Sequence, residues 1–382
     1  MWQLCGSTEF ALRQFFLYIL TYMTFDPHKP YNALTLLPPK YDFDHVEILK
    51  QVNTSNIALA KLNALSTKLP NPWLLMQPLL VRESVASSGI ENINTTVLEV
   101  FEAEVQPEAQ RRGPAKEVLR YREAMMKGLE LVTDKEFLST NHFVDIQRLI
   151  EPGKPGIRRI PGTRIINHTT KEVLYTPPDG EKRLRDFLGN LEKYINRHVD
   201  DTDPLIKMAV LHYQFESIHP FLDGNGRVGR ILMILYLILT KRLELPVLFL
   251  SGYIENHKSE YYKLLQTTRT GDFGPFILYI LKAVEEQANV TATAVQGIEK
   301  LMVETEAMIK REFPSQAHEL TLCIFSRPFL TIEYVQTALS LSARQTASKY
   351  LAALTAKKIL RQKKIGRSKL FYCSPFLKLL EG

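Results

Sequence analysis

The sequence predicts a mainly α-helical protein, broken once by a short β-hairpin and closed by a small basic unit at the C-terminus. Three observations carry that expectation. Apolar residues recur at threes and fours along most of the chain. The stretch Pro161–Pro178 is β-prone instead, with residues 163–167 and 172–175 flanking the polar turn 168–171. From Leu320 to the end, eleven Lys and Arg face two Glu, a balance of +9, so the preceding residues sum to −2 of the total +7.

Taken in order, a first helix is expected over His45–Leu69, ended by Pro70 and Pro72, and the apolar run resumes at Trp73–Met76. Helices follow over Pro78–Ser88, Leu98–Glu104, Ala115–Leu131, Asn141–Ile150 and Glu181–His198, then a long pair over Pro204–Ile218 and Gly226–Lys241. The hairpin is marginal alone in water, so it should lie against helices with one edge free. Residues 285–314 read as a polar helical connector. Beyond them Thr331 caps a new helix, Ser340–Leu351 forms another, and Ile359–Tyr372 is hairpin-like. The expected organisation is an N-terminal extension (1–30), a helical region (31–110), a core (111–285), a connector (286–318) and a C-terminal unit (319–382).

Composition excludes several classes. A hydrophobic fraction of 45% with 23% charged residues is that of an ordinary globular chain. Cys5, Cys323 and Cys373 are far apart and in no metal spacing, which argues against a disulfide framework or zinc ribbon and fits a reducing cytoplasm. Phe15–Phe25 is apolar but shorter than the ~20 residues of a membrane span, and it lacks a basic leader, so no membrane partner is expected. Residues 1–22 are expected to be a mis-assigned extension or an unpacked tail, against the competing reading of a real helix.

The chemistry is concentrated in His219-Pro220-Phe221-Leu222-Asp223-Gly224-Asn225-Gly226-Arg227-Val228-Gly229-Arg230. Gly224, Asn225 and Gly226 open onto a helix N-terminus, where unpaired N–H groups and the helix dipole attract anions. Arg227 and Arg230 are neighbours on that helix and can grip phosphate oxygens. Asp223 is a hard oxygen ligand for a Mg²⁺ that also binds phosphates. His219 can take a proton near neutral pH.

Rival readings fare worse. Residues 224–229 match G-x-G-x-x-G, but the segment before them has helical rather than strand period. A calcium loop fails at Arg227 and Ile234. His212, Glu216 and His219 lack the H-E-x-x-H zinc spacing, and no Walker A sequence occurs.

Residues 219–230 fit HPFx(D/E)GNGRxxR at every defining position and so resemble the signature of the Fic family. Pro161–Arg164 through Tyr175–Pro178 resembles that family's flap, and Tyr261-Tyr262 its post-signature helix; the likeness spans most of residues 75–285. It implies a Fic-type helical core and transfer of AMP from ATP to a Tyr, Thr or Ser hydroxyl of a target protein or of the enzyme itself. By the same resemblance His219 is the base and Asp223 holds Mg²⁺. Gly224, Asn225 and Gly226 form the anion hole, while Arg227 and Arg230 hold the β- and γ-phosphates. Thr163, Arg164, Tyr175 and Thr176 belong to the flap that docks the target.

Ser87-Ser88-Gly89-Ile90-Glu91-Asn92 is similar to the family's inhibitory motif, (S/T)xxxE(G/N), which implies that Glu91 pairs with Arg230 and blocks productive ATP binding. Removal of AMP and use of another nucleotide donor stay open, as does a homodimer. The segments 331–339, 342–354 and 357–371 resemble a winged helix, whose basic wing suits duplex DNA or, as in many winged helices, a protein partner. A functional rival is a DNA-binding regulator whose core only senses nucleotide.

Overall fold

Thr96, Ser139, Asp203 and Thr331 each start a helix by accepting a backbone N–H two or three residues ahead, from Glu99, His142, Leu205 and Tyr334 respectively. Glu99 returns the bond to Thr96 N, completing a capping box. The computed structural model describes residues 25–68, 71–106, 111–167, 170–197, 201–365 and 368–381, and the expectation for residues 1–22 lies outside them.

The helices are α1 (Val46–Thr67), α2 (Pro72–Ile90), α3 (Val97–Glu104), α4 (Pro114–Lys135), α5 (Thr140–Ile150), α6 (Glu181–Ile195), α7 (Pro204–Ile218), α8 (Asn225–Leu239), α9 (Ser251–Asn256), α10 (Lys258–Thr267), α11 (Gly274–Lys310), α12 (Ala317–Ser326), α13 (Ile332–Ala338), α14 (Arg344–Ala356) and α15 (Ser374–Glu381). Two antiparallel hairpins join them: β1 (Ile165–Ile166) with β2 (Val173–Tyr175), and β3 (Arg361–Ile365) with β4 (Ser368–Tyr372). The fold is mainly helical, as the periodicity predicts. Among the described residues no helix is long and apolar enough to cross a membrane.

The described residues form two compact units. One takes the described part of Met1–Val52 with Phe137–Met233 and His257–Leu281; the other takes Asn53–Glu136, Ile234–Asn256 and Lys282–Gly382. In the first, α6 packs on α7 through Leu184, Phe187, Leu188, Leu191, Tyr194 and Ile195, a stripe of helical period. Helix α7 is buried on nearly every side, with all but Pro204 and Glu216 inside, so it is the core's central rod.

In the second unit α2 is the hub, packed by α3, α4, α9, α12 and α15. Its buried Glu83 accepts hydrogen bonds from Tyr121 Oη (3.0 Å), Ser251 N (3.1 Å) and the Ser251 hydroxyl. Gly89 allows α9 to come close, since a Cβ there would fall 2.2 Å from Glu255 Oε1. The C-terminal part of this unit is three helices followed by the β3–β4 hairpin, which Leu330 extends by pairing with Phe371. Three of its basic side chains have acidic partners: Lys363 with Glu102 of α3, Lys357 with Glu312 (2.6 Å) and Arg344 with Glu333 (3.6 Å).

Two expectations are modified. Helix α2 runs from Pro72 straight through Pro78, because fully buried Met76, Leu79, Leu80 and Val81 gain more than the ~3 kcal/mol that an internal proline costs. The expected connector is the second half of one 37-residue helix, α11. Ala288, Thr291, Ala292, Val295, Ile298, Met302, Thr305 and Ile309 keep one face of it buried throughout.

Candidate active site

Two left-handed backbone turns build the junction between α7 and α8. Helix α7 ends on His219, with φ 47° and ψ 59°, whose N–H closes on Phe215 O at 3.0 Å. Gly224 has φ 83°, and a Cβ on it would lie 3.3 Å from side-chain atoms of both Glu151 and Ile150, so glycine serves twice there. Asn225 braces the loop: its Oδ1 accepts from Phe221 N (2.8 Å) and its Nδ2 donates to Phe221 O (2.9 Å). The first ladder bond of α8 is Val228 N to Gly224 O (2.9 Å), which leaves the N–H groups of Asn225, Gly226 and Arg227 ahead of the helical ladder. The side chain of Asn225 thus shapes an anion-attracting helix start whose donors are main-chain.

Arg227 and Arg230 are 2% and 1% exposed. Arg227 Nη2 donates to Glu151 Oε1 at 2.6 Å and lies 3.7 Å from Asp223 Oδ1. Its Nε and Nη1 are buried and have no acceptor. A buried guanidinium with two unanswered donors is costly, and it is the form expected of a site built for an anion.

Asp223 is half-exposed. Its Oδ2 accepts from Lys154 Nζ at 2.7 Å and its Oδ1 from Gly224 N at 2.8 Å. Burial pushes the carboxyl's pKa up, but Lys154, the Gly224 N–H and Arg227 together outweigh it and hold the pKa below the ordinary carboxylate value. Lys154 therefore puts a cation where a divalent ion would sit, and the donor is a hard oxygen, so the residues fit Mg²⁺. Among the described residues no cluster of three or more His, Cys, Asp and Glu is present, so the remaining ligands would be phosphate oxygens and water.

Glu151, Lys154 and Gln147 are site residues the sequence did not reveal. Fully buried Gln147 donates to Lys154 O (2.9 Å) and Asp223 O (3.2 Å), and accepts from Gly156 N (3.0 Å). That pins the 151–156 turn to the signature loop. Glu151 and Lys154 lie 76 and 69 positions from their partners, beyond any local motif.

Behind the loop, Gly229 lets α8 approach α7, because a Cβ there would sit 2.4 Å from Glu216 Oε1 and 3.3 Å from His212. His212 is wholly buried, with Nε2 2.8 Å from the hydroxyl of Tyr261 on α10. Burial first, and the charge of Arg230 second, lower its pKa to about 3, so it is neutral.

The four flap positions separate. Arg164 is exposed and Thr163 half-buried, both ahead of β1. Tyr175 and Thr176 are internal: Tyr175 Oη donates to Ser217 O (2.7 Å), the Arg269 guanidinium lies 3.8 Å over its ring, and Thr176 Oγ1 donates to Pro27 O (2.5 Å). These two anchor the hairpin rather than offer a docking surface. In the second unit, Ser87 is buried and Glu91 caps the end of α2, with Asn92 next in a left-handed turn (φ 63°). Asn92 N bonds Gly89 O (2.9 Å) and Ile93 N bonds Ser88 O (3.0 Å), a Schellman end that explains Asn after Glu91.

Comparison with known proteins bears on this geometry. Residues 49–130 match the Fic/DOC family N-terminal model, 137–237 the Fic/DOC family model, and 301–376 the C-terminal domain of SoFic-like protein adenylyltransferases. A curated relative, Protein adenylyltransferase Fic of Drosophila erecta, is 28% identical over 134 residues, 34% of this chain and 26% of the relative. The chain thus spans about a quarter of the length of the curated relatives it matches. Among solved structures, a Fic family protein from Desulfovibrio desulfuricans G20 shares the fold at TM-score 0.55 and 20% identity, over 88% of this chain and 98% of that one. A Fic domain containing signaling protein from Bacteroides thetaiotaomicron VPI-5482 does so at TM-score 0.51 and 18% identity, over 64% and 97%. With the signature junction and the hairpin before it, residues 49–130 and 137–237 are Fic/DOC-family regions, and residues 301–376 match the C-terminal domain of SoFic-like members.

Proposed function

We propose that the protein is an adenylyltransferase that moves AMP from ATP onto a hydroxyl side chain of a protein, with Glu91 as its brake. The observation that carries the reading is Arg227, buried with two unanswered donors at a helix start, 3.7 Å from Asp223 and just past the loop that begins at His219. The target oxygen attacks the α-phosphorus as the bond to the β-phosphate oxygen breaks; pyrophosphate leaves and AMP stays on the protein. His219 takes the hydroxyl proton. The main-chain donors at 224–227 and the Arg227 fork bind the phosphates, and Arg230 takes the γ-phosphate. Asp223 would hold Mg²⁺, which when bound supplies charge neutralisation across the phosphates. Glu151 steers Arg227 by occupying Nη2 alone, leaving Nε and Nη1 for the nucleotide.

The test is transfer of labelled AMP from α-labelled ATP by the full chain carrying Glu91→Gly, alone and with His219→Ala. Self-labelling or acceptor labelling that exceeds the unmodified protein and disappears with His219→Ala is expected. ATP binding without labelling would favour the nucleotide-sensing regulator or another donor. A second reading concerns the C-terminal unit: the exposed Arg361, Lys364 and Lys369 on a winged-helix-like hairpin suit duplex DNA. A mobility-shift titration at low salt with no retarded duplex would remove that partner.

A further inference from the structure

Arg158 is 2% exposed and lies outside every motif the sequence offered. Its main chain pairs with the signature: Ile157 bridges Phe221, and Arg158 N donates to Pro220 O at 2.9 Å. Its side chain turns the same way. Nε donates to His219 O at 2.9 Å, Nη2 donates to Pro178 O, and Nη1 lies 3.7 Å from Asp179 Oδ1. One guanidinium thus holds the backbone of the proposed base and the two residues that lead out of the hairpin.

That arrangement answers a physical problem. His219 is a non-glycine residue in a left-handed conformation, which is strained and persists only where neighbours over-determine it. Its carbonyl also stands at the end of α7, where backbone oxygens lose their helical donors. A charge-assisted bond from Arg158 satisfies the oxygen and fixes the peptide plane from which the imidazole projects. A lysine could not do this, because its compact ammonium cannot span three acceptors as a planar fork does.

We propose that Arg158 is the positioning residue for His219 and couples it to the hairpin, so that the segment receiving the target and the group receiving its proton are held by one side chain. This rests on the reading of His219 as base. It does not place Arg158 on substrate.

The experiment is a double-mutant cycle in the full-length Glu91→Gly protein, with Arg158→Lys, His219→Ala and the two combined. The rate constant of labelling at saturating ATP is measured together with nucleotide affinity and melting temperature. Arg158→Lys should slow labelling about 10- to 100-fold, as expected for a misplaced catalytic group, while shifting nucleotide affinity less than about threefold. In the His219→Ala background the same change should have almost no further effect, because the two residues act as one unit. Additive losses, or equal losses in affinity and rate, would overturn the proposal and leave Arg158 as scaffold only. If His219→Ala itself labels at the parent rate, the base reading fails instead, and the two failures are told apart. Should Arg158→Lys not fold, Asp179→Asn, which frees one arm of the fork, carries the same cycle. A two- to fivefold loss that vanishes with His219→Ala supports the coupling, and an unchanged or additive rate overturns it.

Discussion

Arg227 and Arg230 put two positive charges on helix α8, and Arg361, Lys363 and Lys364 put three on strand β3, in opposite surroundings. The two arginines are almost wholly buried, and Arg227 keeps two donors without an acceptor. The strand residues are exposed, and Lys363 is spent on Glu102 of the same unit. Burying a guanidinium costs several kcal/mol unless something answers it, whereas an exposed ion pair is worth about 0–1 kcal/mol and asks for nothing. Net charge alone ranks the C-terminal unit as the binding surface. Burial reverses the order and points to the junction.

The sharpest break of that comparison is in the transfer rate. His219→Ala should lower labelling about 10²- to 10⁴-fold, while Arg361→Ala with Lys364→Ala should leave it within twofold; a large loss in the strand variant would unseat the comparison. Next in size, Arg227→Ala should raise the KM for ATP about 10- to 100-fold, the cost of a charge-assisted bond in a buried site. Steady-state titration of ATP in the Glu91→Gly background measures it.

A third effect follows from the neutral His212 behind Arg230. Its folded pKa is lowered to about 3 from 6.5, by burial first and Arg230 second. Between those values the unfolded chain binds a proton that the folded one refuses. The stability associated with His212 is therefore full above pH 6.5 and declines as pH falls toward about 3, by up to ~1.4 kcal/mol per pH unit. Urea midpoints at pH 7.5 and 5.0 should show that decline, and His212→Gln should flatten it.

The smallest effect concerns Lys154. Because its pair with Asp223 is half-exposed, Lys154→Met should lower the divalent-ion concentration for half-saturation only about two- to fivefold, read by Mn²⁺ binding with nucleotide present. A rise instead would make Lys154 a contributor to the ion's site rather than a stand-in.

Much of this was legible in the chain. Helices α5 through α8 were legible within a few residues: α5 and α6 bury a stripe that the spacing records, while α7 and α8, buried nearly all round, are bounded by Pro204 and by the glycine turn between them. Thr331 is legible as a cap because a side-chain hydroxyl just ahead of a helical run has one local use. The run from His219 to Arg230 was legible because its chemistry is contiguous. Pro78 misled, since proline's cost is local and the burial that outweighs it is not. The separation of Tyr175 and Thr176 from Thr163 and Arg164 was hidden too, because inward and outward faces of so short a hairpin depend on what lies beneath it.

The sequence by itself determined the junction: a helix end, a glycine turn, a carboxylate and two arginines arranged by covalent neighbourhood and helical period. Only the tertiary structure decided what holds that junction in shape. Glu151 on Arg227, Lys154 on Asp223, Gln147 beneath both, and Arg158 on His219 O all come from residues 147–158, some 60 to 76 positions away. Periodicity cannot place such partners, because burial and hydrogen bonding between distant segments are set by packing, which no local spacing encodes.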